Sequence, residues 1–212
     1  MTMNRNLPRR ALLGGGMALA VAPALPALAA ELPPTPAQTA GPFYPAGWTG
    51  EADNDLVRVA NAAAAAAGQV THVFGRVTDP AGRPLAGVAV EIWQADAEGR
   101  YHYPQAGASG ADPGFQGYGR TLAAADGGYR FRTLKPAPYP GRTAHIHFRL
   151  SGAGLRPFTT QMYFAGEPLN ERDGLLRRTD PAARQRLLVA LKPAPELEAA
   201  ALAGRFDIVL AG

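Results

Sequence analysis

The chain has 212 residues, 47% hydrophobic and 18% charged, with 25 Gly and 20 Pro. That length fits one medium domain with trimmings, and the composition suits a turn-rich globular protein rather than a disordered or fibrous one. The formal charge is +4, and the absence of cysteine excludes disulfides, Cys-ligated zinc and iron–sulfur clusters, leaving His, Tyr, Asp and Glu as candidate metal ligands.

Residues 1–29 have a basic start (Arg5, Arg9, Arg10), an apolar run from Ala11 and small residues at Ala27-Leu28-Ala29, the layout of a signal peptide. Arg9-Arg10 directly before Ala11-Leu12-Leu13 resembles a twin-arginine signal, which predicts export to the periplasm in the folded state. Gly14 to Gly16, Pro23 and Pro26 interrupt the apolar run, so a stable membrane anchor is not expected. Removing three arginines and no acids takes the charge from +4 to +1. No basic stripe with interleaved aromatics remains, so no nucleic-acid partner is expected.

Residues 30–68 read as an extended arm and irregular lead-in, dense in Pro, Gly and Thr as far as Gly50. The arm, Glu31 to Gly50, is a candidate for partner contact. A catalytic domain is expected over 69–212. THVFGRV and GVAVEIW alternate around the turn-rich DPAGRPLA and predict two antiparallel strands. RTLAAADGGYRFRTL predicts a further pair around Asp126-Gly127, AHIHFRLSG and PFTTQMYFA continue the pattern, and RFDIVLAG closes it. The expected fold is an all-β sandwich of mainly antiparallel strands with one short C-terminal helix over Asp180 to Leu191, capped by Asp180 with Pro181 at its first position.

On a strand, His145 and His147 of AHIHF point the same way. That spacing suits metal binding, and it also suits two hydrogen-bonded, half-buried histidines. Tyr101 in GRYHYP and Tyr139 in KPAPYPGRTAHIHF are the context that bears on this choice, although either tyrosine alone is more often a packed residue with a bonded hydroxyl. Two His with two phenolates form a hard, anionic set that favours ferric iron. Prolines around Tyr139 stiffen its loop. Tyr103 shares a strand face with Tyr101, and His102 is a second local competitor. A divalent site would instead join the histidines to a carboxylate such as Glu91 or Asp126.

The segments TPAQTAGPFYP, GRVTDPAGRPLAGVAVEIWQADAEGRY, GYGRTLAAADGGYRFRTLKPAPYP, AHIHF, TTQMYF and FDIVL together resemble the intradiol ring-cleavage dioxygenases, the catechol and protocatechuate family. The resemblance implies a non-haem Fe(3+) cofactor with Tyr101, Tyr139, His145 and His147 as ligands. Catechol-type rings would be cleaved by O2 between the two hydroxyl-bearing carbons to give muconate-type dicarboxylates. It also implies that Tyr139 leaves the iron when catecholate chelates, taking a proton. Arg142 and Gln161 match residues expected to face the substrate or support the site, against plain readings as a loop charge and a strand residue. A homo-oligomer is in keeping with the family. Only Gly141 to Ala144 follow Pro140 before His145, a shorter loop than in well-known members, which implies a more open pocket. GRVTDPAGRPLAGVAV would also suit a non-catalytic transthyretin-like or carboxypeptidase-regulatory-like binding module, which leaves the tyrosines and histidines unexplained.

Overall fold

The structure, a computed structural model, describes Met1 and residues 30–102, 110–152 and 154–211. Most of the expected signal peptide, and Tyr103, lie outside the described residues.

Among the described residues, ten strands form two five-stranded sheets. In the first, β1 (Val70–Thr78) pairs antiparallel with β4 (Gly128–Leu134) on one side. On the other it pairs parallel with β9 (Leu202–Arg205) and β10 (Ile208–Val209), and β8 (Lys192–Pro193) lies beyond β9. The second runs β3 (Tyr118–Leu122), β2 (Ala89–Trp93), β5 (His145–Gly152), β6 (Leu155–Phe164) and β7 (Leu188–Val189). The core between them contains Val73, Val77 and Phe131 from the first sheet and Val90, Ile92, Ile146, Phe148 and Leu150 from the second. This is the expected β-sandwich, with parallel pairs also at β6 and β7.

Two expected hairpins do not form. The β1–β2 connection begins as one, with an isolated bridge between Thr78 and Pro84. Pro84 has no N–H with which to extend a ladder, and β2 joins the opposite sheet. β3 and β4 likewise divide between the sheets, β3 beside β2 and β4 beside β1. β2 is buried at all five positions rather than at alternate ones, because its outer face is also covered, as described below.

The C-terminal helix is shorter than expected. Asp180 does cap it, its Oδ1 accepting from the N–H groups of Ala182 and Ala183 at 3.0 Å, with Pro181 in the first turn. The preceding helix, α1 (Gly174–Arg178), was not expected, and α2 (Pro181–Arg184) passes through a 3₁₀ turn at Gln185–Leu187 into β7. Residues 188–189 are drawn into strand pairing by Tyr163 and Phe164, which overrides the helical pattern.

Gly75 on β1 lies opposite Tyr129 on β4. The buried Tyr129 hydroxyl donates to the carbonyl of Phe206 between β9 and β10. A Cβ at Gly75 would stand 2.0 Å from that carbonyl oxygen and 3.1 Å from the Tyr129 hydroxyl. Gly75→Ala must therefore part the strands there, and a loss of about 2 kcal/mol is expected by urea unfolding.

Candidate metal centre and active site

Alternation along β5 sends Ile146, Phe148 and Leu150 to the core and turns His145 and His147 to the outer face of the second sheet. His147 lies between Trp93 of β2 and Gln161 of β6, and His145 is opposite Tyr163. An outer sheet face would ordinarily be wet, yet His145 is 2% and His147 1% exposed. The N-terminal arm provides the cover. It runs along the edge of β6, where Gln38 N donates to Thr159 O and Thr160 Oγ1 to Pro36 O, each at 2.8 Å. It then crosses the face, where Gln161 Nε2 donates to Thr39 O and Phe43 packs on Tyr101 with ring centroids 4.7 Å apart. The arm thus packs against its own sheet, although it was a candidate for partner contact.

Two loops bring the tyrosines. Asp96, buried after β2, accepts from the N–H groups of Glu98, Arg100 and Asp112, which pins the loop carrying Tyr101. The second loop approaches at Gly99 (φ +82°), where a Cβ would meet the Pro138 carbonyl oxygen at 2.8 Å. In that loop Tyr139-Pro140-Gly141-Arg142 is a turn closed by Arg142 N donating to Tyr139 O at 2.9 Å. Pro second and Gly141 third at φ +82° follow the type II pattern. This is the short loop noted in the sequence, and it sets the Tyr139 and Arg142 side chains next to each other.

All four expected ligands meet. Ring centroids of Tyr101 and Tyr139 are 5.8 Å apart, those of Tyr139 and His145 5.6 Å, and those of His145 and His147 4.8 Å. The two Nε2 atoms are 3.2 Å apart. His145 Nδ1 lies 2.6 Å from the Thr143 carbonyl; a carbonyl only accepts, so the proton sits on Nδ1 and the Nε2 lone pair faces His147. His147 Nδ1 is buried without a hydrogen-bond partner among the described residues. Burial first, then the Arg142 charge, lowers the His145 pKa to about 4, against partial compensation from Thr143 and Asp173. Burial, then His145 and Arg142, holds His147 well below its usual value. The 3.2 Å contact is then a hydrogen bond that His147 Nε2–H donates, and with that proton moved to Nδ1 two neutral imidazoles would turn both lone pairs toward one cation. Among the described residues no group of three or more His, Cys, Asp or Glu could hold one, so the phenols are needed to complete a site.

Burial raises the Tyr139 pKa, although the Arg142 charge and hydrogen bonds from Tyr101 and Arg142 oppose the rise. Tyr101 is 2% exposed, whereas Tyr139 is half-buried and lines a cavity of about 420 Å³ with Arg142, Thr143, Leu169 and Asp173. Arg142 Nε donates to Asp173 Oδ2 at 2.8 Å and Nη2 to Gln161 Oε1 at 2.6 Å; the Gln161 oxygen also accepts from the Tyr163 hydroxyl at 2.9 Å. Arg142 and Gln161 are thus fixed groups beside the aromatic cluster.

The competing residues lie elsewhere. Glu91 shares the outer face but bonds Tyr44 and Arg149, and Asp126 pairs with Arg76. His102 packs against Gly117 and Phe115. Trp93 and Asp173 escaped the sequence reading. Asp173 carried one signal, since it precedes Gly174-Leu175-Leu176 as a helix cap and its Oδ1 accepts from the N–H groups of Leu175 and Leu176.

A sequence profile described as Dioxygenase (Dioxygenase_C) matches residues 39–212. The chain belongs to the intradiol ring-cleavage dioxygenase family. It is 41% identical over 181 residues to the protocatechuate 3,4-dioxygenase beta chain of Burkholderia cepacia, covering 81% of this chain and 77% of that one. Similarity to catechol 1,2-dioxygenase 1 of Acinetobacter lwoffii is 35% over 64% of this chain, which spans about half (48%) of that relative. The dioxygenase domain of a dioxygenase and carbohydrate-binding protein fusion from Streptomyces sp. SirexAA-E superposes with a TM-score of 0.66 at 35% identity, covering 84% of this chain and 99% of that one. This intradiol dioxygenase is therefore an enzyme rather than a binding module, and its relatives are generally non-haem iron proteins.

Asp173 is fully buried under Arg142. Burial pushes its pKa up, but the Leu176 N–H, the Arg142 hydrogen bond and charge and the Thr143 N–H outweigh this and leave it below the ordinary 3.8. Its contribution to stability is therefore complete above the unfolded value and is lost as pH falls through the lower folded one. Asp173→Asn should cost about 2 kcal/mol near neutrality, because it leaves the half-buried Arg142 charge without its carboxylate. The difference from wild type should shrink in acid, as urea unfolding across pH will show.

Proposed function

We propose that the mature chain is an exported ferric-iron enzyme that cleaves catechol-type rings with O2 between the two hydroxyl-bearing carbons, giving muconate-type dicarboxylates. The observation that carries this reading is the meeting of Tyr101, Tyr139, His145 and His147 beside a cavity that Tyr139 lines. These four residues would hold the iron, and a ferric ion, when bound, supplies the Lewis acidity that lets a catechol bind as its dianion. Supporting it, burial favours the neutral form of both imidazoles and raises the Tyr139 pKa, so that this phenol would ionise against a strong positive charge.

The remaining steps belong to the chain. Tyr139, on the cavity side, would be the residue that gives way to the substrate, its phenolate oxygen taking up one of the two catechol protons while the other passes to solvent. Tyr101, His145 and His147, almost wholly buried, stay in position. Arg142, aimed by Asp173 and Gln161, sets a fixed cation beside the ring as negative charge develops. The arm keeps bulk water off the histidine face. Export through a twin-arginine route to the periplasm rests on Arg9-Arg10 and the apolar run that follows. No described helix is long and apolar enough to cross a membrane.

The first test is the visible spectrum of the iron-loaded protein with and without catechol under anaerobic conditions. An intense band that shifts on catechol addition is expected; a protein that stays colourless after ferric loading overturns the ligand set. Arg142→Ala should lower turnover of catechol about a hundredfold while the resting band remains.

A further inference from the structure

The two histidines are held in different ways. His145 is oriented by its Nδ1 bond to Thr143 O at 2.6 Å. Histidines that ligate metals ordinarily make such a bond with the second nitrogen, which fixes both ring plane and tautomer. His147 has none among the described residues, its Nδ1 being buried and unpaired. Instead its ring lies flat on the indole of Trp93, with centroids 4.7 Å apart and planes 6° from parallel.

Trp93 is itself immobilised. It is fully buried, sits opposite His147 in the β2–β5 register, and meets the Tyr44 ring edge-on at 5.0 Å. Tyr44 is anchored in turn by its hydroxyl bond to Glu91 at 3.0 Å, and Glu91 pairs with Arg149. The indole Nε1 has no hydrogen-bond partner among the described residues, so contact with its rings, not a polar bond, is what Trp93 offers. The arm also comes close to the imidazole, since a Cβ on Gly41 would stand 3.7 Å from His147 Cε1.

We infer that Trp93 is a positioning residue for His147, replacing by ring stacking the hydrogen bond that this histidine lacks. The inference rests on the proposed ligand set and adds to it a residue that touches neither iron nor substrate. Stacking fixes the plane of the imidazole but allows it to slide and turn within that plane. His147 is accordingly the less firmly oriented of the two imidazoles, and the face of Trp93 is what would keep it in place when iron is bound.

The test uses iron-loaded wild type, Trp93→Phe and Trp93→Leu. It measures the rate of iron loss to an excess chelator, the position of the visible band, and folding by circular dichroism. Phenylalanine keeps a smaller ring face and leucine keeps none. Iron loss should rise about thirtyfold in Trp93→Leu, within the span usual for groups that orient ligands, and about threefold in Trp93→Phe, which keeps part of the ring face. The band should move in the same order. Folded variants that release iron at the wild-type rate with an unmoved band overturn the inference. If the leucine variant does not fold, Trp93→Phe decides alone, and a wild-type rate there is equally fatal. Wild type that takes up no iron, or gives no band, defeats the ligand assignment instead, before Trp93 comes into question.

Discussion

The structure depends on one constraint: the side chains that carry the chemistry project from the wrong side of a sheet. Alternation along β5 commits Ile146 and Phe148 to the core, so His145 and His147 must face outward. Left there, they would be hydrated, mobile and ordinary. The arm removes them from water, and with that come the depressed imidazole pKa values and the dry wall formed by Trp93. The enzyme therefore has two interiors. One is the apolar layer between the sheets, and the other is a smaller aromatic and polar layer between the second sheet and the arm.

That second layer explains several local choices. Gly99 lets the loop of Tyr101 touch the loop of Tyr139, and the Pro140-Gly141 turn returns the chain quickly enough to place Arg142 beside Tyr139. Asp173 serves two ends at once, capping α1 with one oxygen and holding Arg142 with the other. Gln161 likewise joins Arg142, Tyr163 and the arm through a single amide. Each joint between sheet, loop and arm is thus made by a group with more than one partner, and disturbing one shifts its neighbours.

Much of this was legible in the sequence, for reasons of period and residue type. The HxH spacing on a strand places both imidazoles on one face whatever the tertiary fold, and the prolines around Tyr139 announce a stiff loop. Sheet membership was not legible, because THVFGRV and GVAVEIW read as partners and nothing local reveals that Pro84 ends their ladder after one bridge. The helix from Asp180 was readable at its cap but not at its end, where pairing with β6 decides the matter. Trp93 could be read only as a strand residue, since its stacking on His147 depends on the register between β2 and β5. A register set by long-range pairing leaves no short-range trace.

The arm also fixes an order of events. Its bonds join Gln38 to Thr159, Thr39 to Gln161 and Thr35 to Val209, so a segment early in the chain packs against strands synthesised much later. Until β6 and β10 have left the ribosome, the arm has nothing to lie on and the histidine face stays open. Closure of the histidine face therefore requires both strands to be in place. If iron enters before that face closes, a chain exported already folded would carry it along.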